Sequence, residues 1–413
     1  MHEAGYIPMW ELIRANKRKS WILFIGMGIS LLLLGYLIGA AFSPQKGGTI
    51  GLVIAFCIWG LLSVLSYFSG DSIILSLSKA KAVSHDVHPQ LFNVVEEMKI
   101  AASLPHMPKI YIIAERAPNA FATGIKPEKS AIAVTAGLLS SLNRDELQGV
   151  VAHEMSHIVN RDVLFMTFAG IMMGTIVIIA QLFLRMMWHS GGSTGRYESK
   201  GSSKGDAQVK LAIIVIAIAF AILVPILARL LYFAMSRKRE YLADASSVRL
   251  TRYPTGLASA LKKISSTKLD LKSANKATAP MYIINPLKPK GRRISNLSST
   301  HPPIKERIKI LRSMTRGAGY SDYQKAFSRV KGKSSVIIPA SGLGETEAIS
   351  IRKASVEKGK ERREKKAMRD VGDLMRAVNQ YAFLTCACGL KIKVPPNFKK
   401  PSLSCPRCGR EHE

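Results

Sequence analysis

Two histidines and a glutamate lie within the five-residue segment HEMSH, residues 153–157. On a helix, residues four apart lie on one face, so His153 and His157 can bind the same zinc ion. Glu154 then lies beside the ion, where it can take a proton from the attacking water and deliver it to a leaving amine. Zinc lowers the pKa of water to about 7 and polarises the scissile carbonyl. The pattern indicates a metallopeptidase, although a helix whose histidines only pair with neighbours produces the same five letters.

A third metal ligand decides between these interpretations. Metzincins take it from a histidine six residues after the second one, preceded by a glycine, but Val163 and Asn160 occupy those two positions here. A glutamate on a later helix is the other source. The segment SRKREYLADA offers Glu240, with Asp244 four residues on, where it can bind the free N–H of a ligating histidine. We therefore predict Glu240 as the third ligand.

Helix signals precede the HEMSH segment. Asn143 is a favourable N-cap residue, and Glu146 follows at the spacing of a capping box. Asp145 and Glu146 also suit the positive end of the helix dipole. The sequence upstream predicts an amphipathic helix and then three short strands, QLFNVVEEMKIAASL (90–104), KIYIIAE (109–115), NAFATG (119–124) and SAIAVTA (130–136).

Four apolar stretches flank these elements, and none contains a formal charge: 21–42, 48–69, 163–184 and 211–228. Each is long enough to cross a bilayer core, which takes about 20 residues of helix. A hydrophobic fraction of 47% beside a net charge of +31 fits a chain that separates apolar spans from basic flanks. Pro225 is expected to bend the fourth span without preventing it from crossing.

Basic residues predict the orientation of these spans. The loop between spans one and two carries few charges, and the loop between spans three and four carries charges of both signs. Basic residues instead precede the first span and follow the fourth, at Arg14, Lys17, Arg18, Lys19, Arg237, Lys238 and Arg239. Both termini are therefore expected in the cytoplasm. Two spans separate His157 from Glu240, so both residues lie on the cytoplasmic side, whether spans three and four cross fully or form a re-entrant hairpin. Glu240 follows the fourth span by about 18 Å of helix.

Four motifs, HEMSHIVNRD, SRKREYLADA, NAFATG and STHPPIKERI, occur in an order similar to the HtpX membrane metalloproteases, gluzincins related to the CAAX prenyl endopeptidases. The resemblance covers about residues 10–315. It implies that His153, His157 and Glu240 bind zinc and that Glu154 is the general base. It also implies that an edge strand pairs with the substrate backbone, through Asn119, Ala120, Phe121 and Ala122.

The resemblance further implies stress-related quality control, the cleavage of misfolded or damaged membrane proteins from the cytoplasmic side. His301 matches a recurrent family position. One interpretation is that His301 contacts the substrate or the oxyanion. The other is that it only forms the turn before two prolines.

The last 33 residues contain two cysteine pairs, each followed by glycine. In a reducing compartment such a cluster favours metal over disulfides. Four thiolates would give a closed, structural zinc site in a zinc ribbon, through Cys386, Cys388, Cys405 and Cys408. A spacing of C-x-C in the first pair departs from the commoner C-x-x-C, and free thiols in a disordered tail are the alternative.

Together these patterns predict a mainly α polytopic membrane protein with four transmembrane helices, a cytoplasmic α+β gluzincin domain with a small β-sheet, and a C-terminal zinc ribbon. The expected order is an N-terminal cytoplasmic segment (1–20), spans one and two (21–69), a first protease segment (70–162), spans three and four (163–235), a second protease segment (236–316), a linker (317–345), a basic charged helix (346–380) and the ribbon (381–413).

The expected function is a zinc endopeptidase with one catalytic and one structural Zn²⁺, acting on membrane-protein or peptide substrates in the lipid bilayer. The basic C-terminal region is expected to contact a protein or anionic lipid rather than nucleic acid. Two alternatives remain. One is a membrane-anchored scaffold with a degenerate protease domain whose basic tail binds nucleic acid or an acidic partner. The other is an endopeptidase specific for prenylated peptides.

Overall fold

A computed structural model describes residues 7–124, 127–190, 204–274, 278–287, 301–332, 335–338, 343, 349–355, 363–398 and 402–412. The described helices are α1 (Ile7–Phe42), α2 (Gly47–Leu77), α3 (Pro89–Ala101), α4 (Ala136–Ser141), α5 (Arg144–Val159), α6 (Asp162–Ser190), α7 (Lys204–Thr251), α8 (Pro254–Ser266), α9 (Ile304–Arg312), α10 (Tyr320–Lys331) and α11 (Arg363–Val378). The described strands are β1 (Ala80–Ala82), β2 (Lys109–Ile113), β3 (Ala120–Thr123), β4 (Ala131–Thr135), β5 (Ala382–Thr385), β6 (Lys391–Val394), β7 (Leu403–Ser404) and β8 (Glu411–His412).

Four helices contain segments long and apolar enough to cross a membrane: Ser20–Phe42, Gly47–Leu77, Ala169–His189 and Leu211–Leu230. The predicted mainly α architecture with four membrane helices is confirmed. α7 continues without a break through Pro225 and past the apolar segment to Thr251, so one helix carries both the fourth span and Glu240.

Glycines allow α1 and α2 to pack closely. Gly35 and Gly39 on α1 face Gly47 and Gly51 on α2, a small-xxx-small spacing on both helices. A Cβ added at Gly51 would lie 2.1 Å from the carbonyl oxygen of Gly35, and one added at Gly39 would lie 2.0 Å from that of Gly47. Any larger residue would force the two helices apart.

The protease domain contains a four-stranded sheet in the order β1-β2-β4-β3. β2 and β4 are parallel, and β3 runs antiparallel to β4 at the edge, with Ala120 opposite Val134. The three predicted strands are present, and β1, which follows directly after α2, is an additional strand that the sequence did not indicate. The largest apolar core of the described chain lies around this sheet and α5.

The helix that carries HEMSH begins as its sequence predicts. The Asn143 side chain accepts from the N–H of Glu146 at 2.8 Å, and the Glu146 carboxylate accepts from the N–H of Asn143 at 2.9 Å. α5 is buried over most of its length, between α3, α7 and α8. Gly149 permits this packing, because a Cβ there would lie 2.7 Å from the backbone nitrogen of Leu257.

The region after α9 differs from the prediction in two places. Residues 317–345, expected to be a linker, contain α10, whose Tyr320, Tyr323 and Phe327 share a face buried in the protease core. Residues 349–355, expected to belong to a long charged helix, are not helical. Their backbone bonds to the protease domain instead, since the N–H of Arg352 donates to the carbonyl of Arg252 at 2.9 Å.

α11, within the predicted basic charged helix, packs against the protease domain. Val371 and Val378 are buried in the protease core, beside α4. On its other side, Asp373 accepts from Lys393 and Lys391 of β6 at 2.7 and 3.3 Å. α11 therefore joins the C-terminal cysteine module to the protease domain. The basic run KGKERREKK lies largely outside the described residues.

Candidate metal centre and active site

Two helices bring the predicted metal ligands together. α5 presents His153 and His157 one turn apart, α7 presents Glu240, and their ligand atoms lie within 4.8 Å of one another. His157 Nε2 is 3.4 Å from Glu240 Oε1, and His153 Nε2 is 3.6 Å from Glu240 Oε2. Tetrahedral zinc with bonds of about 2.0–2.1 Å separates neighbouring ligand atoms by about 3.3 Å. Two imidazole nitrogens and a carboxylate at these distances fit one zinc ion.

Each of the two histidines has a carboxylate at its other ring nitrogen. His153 Nδ1 lies 3.1 Å from Asp244 Oδ1, and His157 Nδ1 lies 3.3 Å from Asp162 Oδ2. Carboxylates in this position fix the tautomer and the orientation of a ligating histidine, so that Nε2 points to the metal. The Nε2 atoms of both rings face Glu240, as this arrangement requires.

Arg307, on α9, is a fully buried cation among these groups. Its Nε and one terminal nitrogen donate to the two oxygens of Asp244, at 2.8 and 2.6 Å. The other terminal nitrogen lies 3.0 Å from Glu240 Oε2 and also donates to the carbonyl of Ile283 at 3.2 Å. One guanidinium therefore holds two carboxylates of the metal centre and a loop in fixed positions.

Sequence reasoning did not assign Asp162 or Arg307 to the site. Asp162 marked only the polar boundary before the third apolar stretch. Arg307 carried a usable signal, since it shares a helical face with Ile310 and Leu311, and all three are buried. A charged residue on the apolar face of a short helix points to a buried partner.

Glu154 is buried next to His153 and His157, with 1% of its surface exposed. Among the described residues, neither of its carboxylate oxygens has a hydrogen-bond partner at normal distance. Burial raises the pKa of Glu154, with smaller opposing effects from the two histidines and from the backbone of Ala122. A carboxylate with a raised pKa and open lone pairs is suited to accept and return a proton.

The electrostatics of the centre favour positive charge at the imidazoles. Burial alone lowers the pKa of His157, but hydrogen bonds to Asp162 and Glu240 outweigh it and raise that pKa to about 10. For Asp244, burial raises the pKa, but the charge of Arg307 together with the hydrogen bonds from His153 and Arg307 outweighs it, and the net pKa is lowered. The pKa of Glu240 is likewise lowered, so Glu240 and Asp244 remain ionised, and their negative potential attracts a metal cation.

The predicted substrate strand is β3, at the edge of the sheet, but part of its outer edge is already occupied. The carbonyl of Ala120 accepts from the N–H of Ile283 at 2.9 Å. The Asn119 side chain donates to the carbonyl of Ile284 at 2.8 Å and accepts from the N–H of Ala120 at 3.1 Å. Asn119 and Ala120 therefore bind a segment of the chain itself.

The other end of β3 faces the metal centre. Phe121 is buried and packs edge-to-face on Tyr282, with ring centroids 5.0 Å apart. Ala122 has the same orientation as Ala120 in the alternating ladder, so its N–H and C=O point away from β4. Ala122 lines a pocket with Glu154 and His157. Among the four predicted strand residues, Ala122 is the one placed beside the proposed chemistry.

His301 also lies at the centre, although its position in the sequence is far from the predicted metal ligands. It is buried, and its Nε2 is 3.8 Å from Glu240 Oε1. α9 begins three residues later, after two prolines. The turn thus places His301 beside the metal ligands.

The four C-terminal cysteines form a second cluster. Cys386 Sγ is 3.5 Å from Cys408 Sγ, and Cys388 Sγ is 3.7 Å from Cys405 Sγ, with all four atoms within 4.8 Å. Zinc–sulfur bonds of about 2.3 Å give a tetrahedral S–S separation of about 3.8 Å. The pairs lie on turns next to the hairpins β5–β6 and β7–β8, which close through left-handed glycines, Gly389 at φ +81° and Gly409 at φ +73°.

Comparison with known proteins decides the family. The model for peptidase family M48 matches residues 86–315, or 230 of the 413 residues. The chain belongs to peptidase family M48. This family is zinc-dependent, and the buried group His153, His157 and Glu240 could hold the metal.

Relatives within the family match a longer part of the chain than the family model does. The protease HtpX homolog of Dictyoglomus thermophilum is 44% identical over 305 residues, 74% of this chain and 94% of the relative. The homolog of Streptococcus gordonii is 38% identical over 306 residues, 74% of this chain and 100% of the relative. Among solved structures, the crystal structure of S. mikatae Ste24p is 20% identical, with a TM-score of 0.38, over 73% of this chain and 66% of that chain.

The protein is therefore an HtpX-like M48 metalloprotease with multiple membrane helices, and its substrates are proteins. The alternative of a scaffold with a degenerate protease domain is not supported. The Streptococcus relative is matched over its whole length by about three quarters of this chain. The cysteine module lies beyond the family match, which ends at residue 315.

Proposed function

We propose that this M48 protease cleaves misfolded or damaged membrane proteins from the cytoplasmic side of the cell membrane. His153, His157 and Glu240 bind the catalytic zinc, and Glu154 is the general base. The observation that carries this assignment is the convergence of three buried ligand atoms within 4.8 Å beside a buried carboxylate.

The chemistry follows from the positions of these side chains. Zinc, when bound, acts as a Lewis acid on the scissile carbonyl and on water. Glu154 takes the proton of the attacking water and returns it to the leaving amine, a function that its raised pKa favours. Ala122 offers outward-facing backbone groups to the substrate, independent of the substrate's side chains. His301, buried beside Glu240, is placed to donate to the carbonyl oxygen as negative charge develops there.

Substitution of Glu154 by glutamine tests this mechanism. Glu154→Gln keeps the shape of the side chain but not its basicity, so cleavage of a model membrane substrate should fall by about 10²–10⁴-fold. Zinc content and thermal unfolding should remain those of the parent protein. Glu97→Gln, the same change on α3 at a half-exposed carboxylate, is the control and should cleave normally. Undiminished cleavage by Glu154→Gln would refute the mechanism.

Membrane proteins are the proposed substrates because the centre is joined directly to the membrane helices. Asp162, the partner of His157, is the first residue of α6, and Glu240 lies on the helix that carries the fourth span. The basic flanks before the first span and after the fourth support a cytoplasmic location for this side. A reporter that fluoresces only in the cytoplasm, fused after residue 413, should be active; an inactive, stable fusion would contradict the orientation.

The C-terminal cysteines bind a second zinc ion with a structural role, because four thiolates fill every tetrahedral position. The purified protein should therefore contain two zinc ions per chain. Replacing Cys405 and Cys408 with serine should remove one ion and leave the other. The basic surface around this ribbon is proposed to contact anionic lipid or a partner protein.

A further inference from the structure

The catalytic centre is closed to a polypeptide in this structure. Glu154 is 1% exposed, and Glu240 is 2% exposed. In the part of the chain that the structure describes, the space beside Glu154 and His157 amounts to about 10 Å³, room for one water molecule. Cleavage requires that the scissile carbonyl lie beside these groups. An element that covers the centre must therefore move before a substrate can bind.

Besides α5 itself, three elements line this space, through Ala122 on β3, Val163 at the start of α6 and Met281 on the segment 278–287. β3 pairs with β4 along its whole length, and α6 begins with the carboxylate that lies beside His157. Movement of β3 or α6 would therefore disturb the sheet or a predicted metal ligand. The segment 278–287, from here on called the strap, is the remaining element.

The strap occupies the edge of β3 at which a substrate strand is expected to pair. The N–H of Ile283 donates to the carbonyl of Ala120 at 2.9 Å, and the Asn119 side chain donates to the carbonyl of Ile284 at 2.8 Å. The backbone of Tyr282, at φ −68° and ψ 145°, is extended. An added β-strand binds a sheet edge through backbone bonds of the same kind. The strap thus uses groups that a substrate strand would use.

The strap is firmly docked, but its edge bonds can be exchanged. Tyr282 and Ile283 are buried, and the ring of Tyr282 packs on Phe121. The carbonyl of Ile283 also accepts from Arg307 at 3.2 Å. A substrate strand can offer an N–H and a carbonyl to the edge groups that the strap releases. Because one hydrogen bond then replaces another, the net cost of the exchange is small compared with leaving those groups unpaired.

We propose that the strap is an autoinhibitory element, which occupies the outer edge of β3 in the resting protein and is displaced by an extended substrate. The inference rests on the proposed peptidase function and adds the regulation of the same site. When only a fraction of molecules has an open site, the apparent affinity for substrate falls by that fraction. Unfolded polypeptides are favoured, because the backbone groups of a folded protein are already paired and cannot replace the strap.

Ile283→Pro in the full-length protein tests the proposal, because it removes the N–H that binds Ala120. Tyr282 already has the extended conformation that a residue before proline adopts. The substrate is a single-span membrane protein with an unfolded cytoplasmic segment. Loss of one hydrogen bond shifts an equilibrium by about 2–10-fold, so kcat/KM should rise by that factor. A folded, zinc-loaded Ile283→Pro protein that cleaves no faster than the parent would overturn the proposal.

Ile283→Val is a milder variant that keeps the N–H and serves if the proline variant does not fold. It removes one buried methylene from the docked strap, so kcat/KM should rise by about twofold or more. Ile264→Val is the matched control, because Ile264 is buried in the same apolar core but lies on α8. Its kcat/KM should equal that of the parent. No rise for Ile283→Val, or an equal rise for both variants, would count against the strap.

Hydrogen exchange of the Glu154→Gln protein gives a measurement that does not depend on cleavage. With the same membrane protein bound, peptides that cover residues 278–287 should exchange faster, because the amides of the strap are released. Peptides that cover Ala120–Thr123 should exchange more slowly. A strap that keeps its protection while substrate is bound would contradict displacement.

Failure of this proposal is distinguishable from failure of the proposed function. If the function is wrong, the parent protein and its Glu154→Gln variant will cleave the substrate equally or not at all. If only the autoinhibition is wrong, Glu154→Gln will be inactive while the Ile283 variants cleave no faster than the parent.

Discussion

Replacing Asp162 with asparagine removes a negative charge 3.3 Å from His157 Nδ1 without changing the size of the side chain. The partner carboxylate of a ligating histidine typically contributes 10–100-fold to metal affinity, which corresponds to about 1.4–2.8 kcal/mol. A distance of 3.3 Å lies just beyond the usual range of about 2.7–3.2 Å for such hydrogen bonds, so we expect the lower end. Asp162→Asn should weaken catalytic zinc binding about tenfold.

Competition with a chelator of known zinc affinity at constant pH measures this effect. The titration is done in a background with Cys386 and Cys405 replaced by serine, so that the C-terminal site does not contribute. Asp162 also contacts Arg239, at 3.5 Å. Arg239→Gln removes that cation but leaves the carboxylate beside His157, so zinc affinity in this control should not fall.

Equal zinc affinities, within twofold, for the parent and the Asp162→Asn protein would refute this account of the centre. Lower affinity in both Asp162→Asn and Arg239→Gln would also refute it, because the effect would then come from packing at the start of α6 and not from the charge next to His157.

Two further predictions concern the scaffold. Gly51→Val should separate α1 from α2 and lower the apparent Tm in detergent. Gly60→Val, on the same helix, should have little effect, because a Cβ added there meets nothing within 4 Å. Equal Tm values for the two variants would contradict the close-packing explanation. Arg352→Gln should lower the free energy of unfolding by about 1–3 kcal/mol at pH 7, because Arg352 donates to Asp145 at 2.7 Å. Burial raises the pKa of Asp145, but the hydrogen bonds from Ser355 and Arg352 and the charge of Arg352 outweigh it, and the net pKa is lowered. The stabilisation by this ion pair is therefore present above the unfolded pKa of 3.8 and is lost as the pH falls through the lower folded pKa. Thermal unfolding at pH 7 and pH 3 should show the difference between the two proteins shrinking in acid, and a constant difference would exclude the ion pair as its cause.

Much of this site could be predicted from local patterns. A helix places residues four apart on one face, so HEMSH and REYLAD each specify a pair of side chains without reference to the rest of the chain. The capping box at Asn143 and Glu146 likewise depends on four consecutive residues. Apolar length alone identified the membrane helices, and the two spans between His157 and Glu240 required that both return to one side.

The remaining features depend on contacts between residues far apart in the sequence. Arg307 reaches Asp244 across 63 positions, and Ile283 reaches Ala120 across the membrane helices between them. Neither pairing has a periodic signature, because each arises from the packing of α9 and of the 278–287 segment against the finished sheet. The same holds for Arg352, whose segment was expected to be helical but is not, and whose backbone bonds to the protease domain.

Local spacing thus predicted the residues that we propose do the chemistry, since metal ligands on one helix face need only the helix period. The tertiary structure decided what surrounds them: the carboxylates behind each imidazole, the buried cation between them, and the segment that occupies the outer edge of β3 at Ala120. Burial explains the difference. A charged group inside a protein requires a partner, and only the folded chain brings that partner within hydrogen-bond distance.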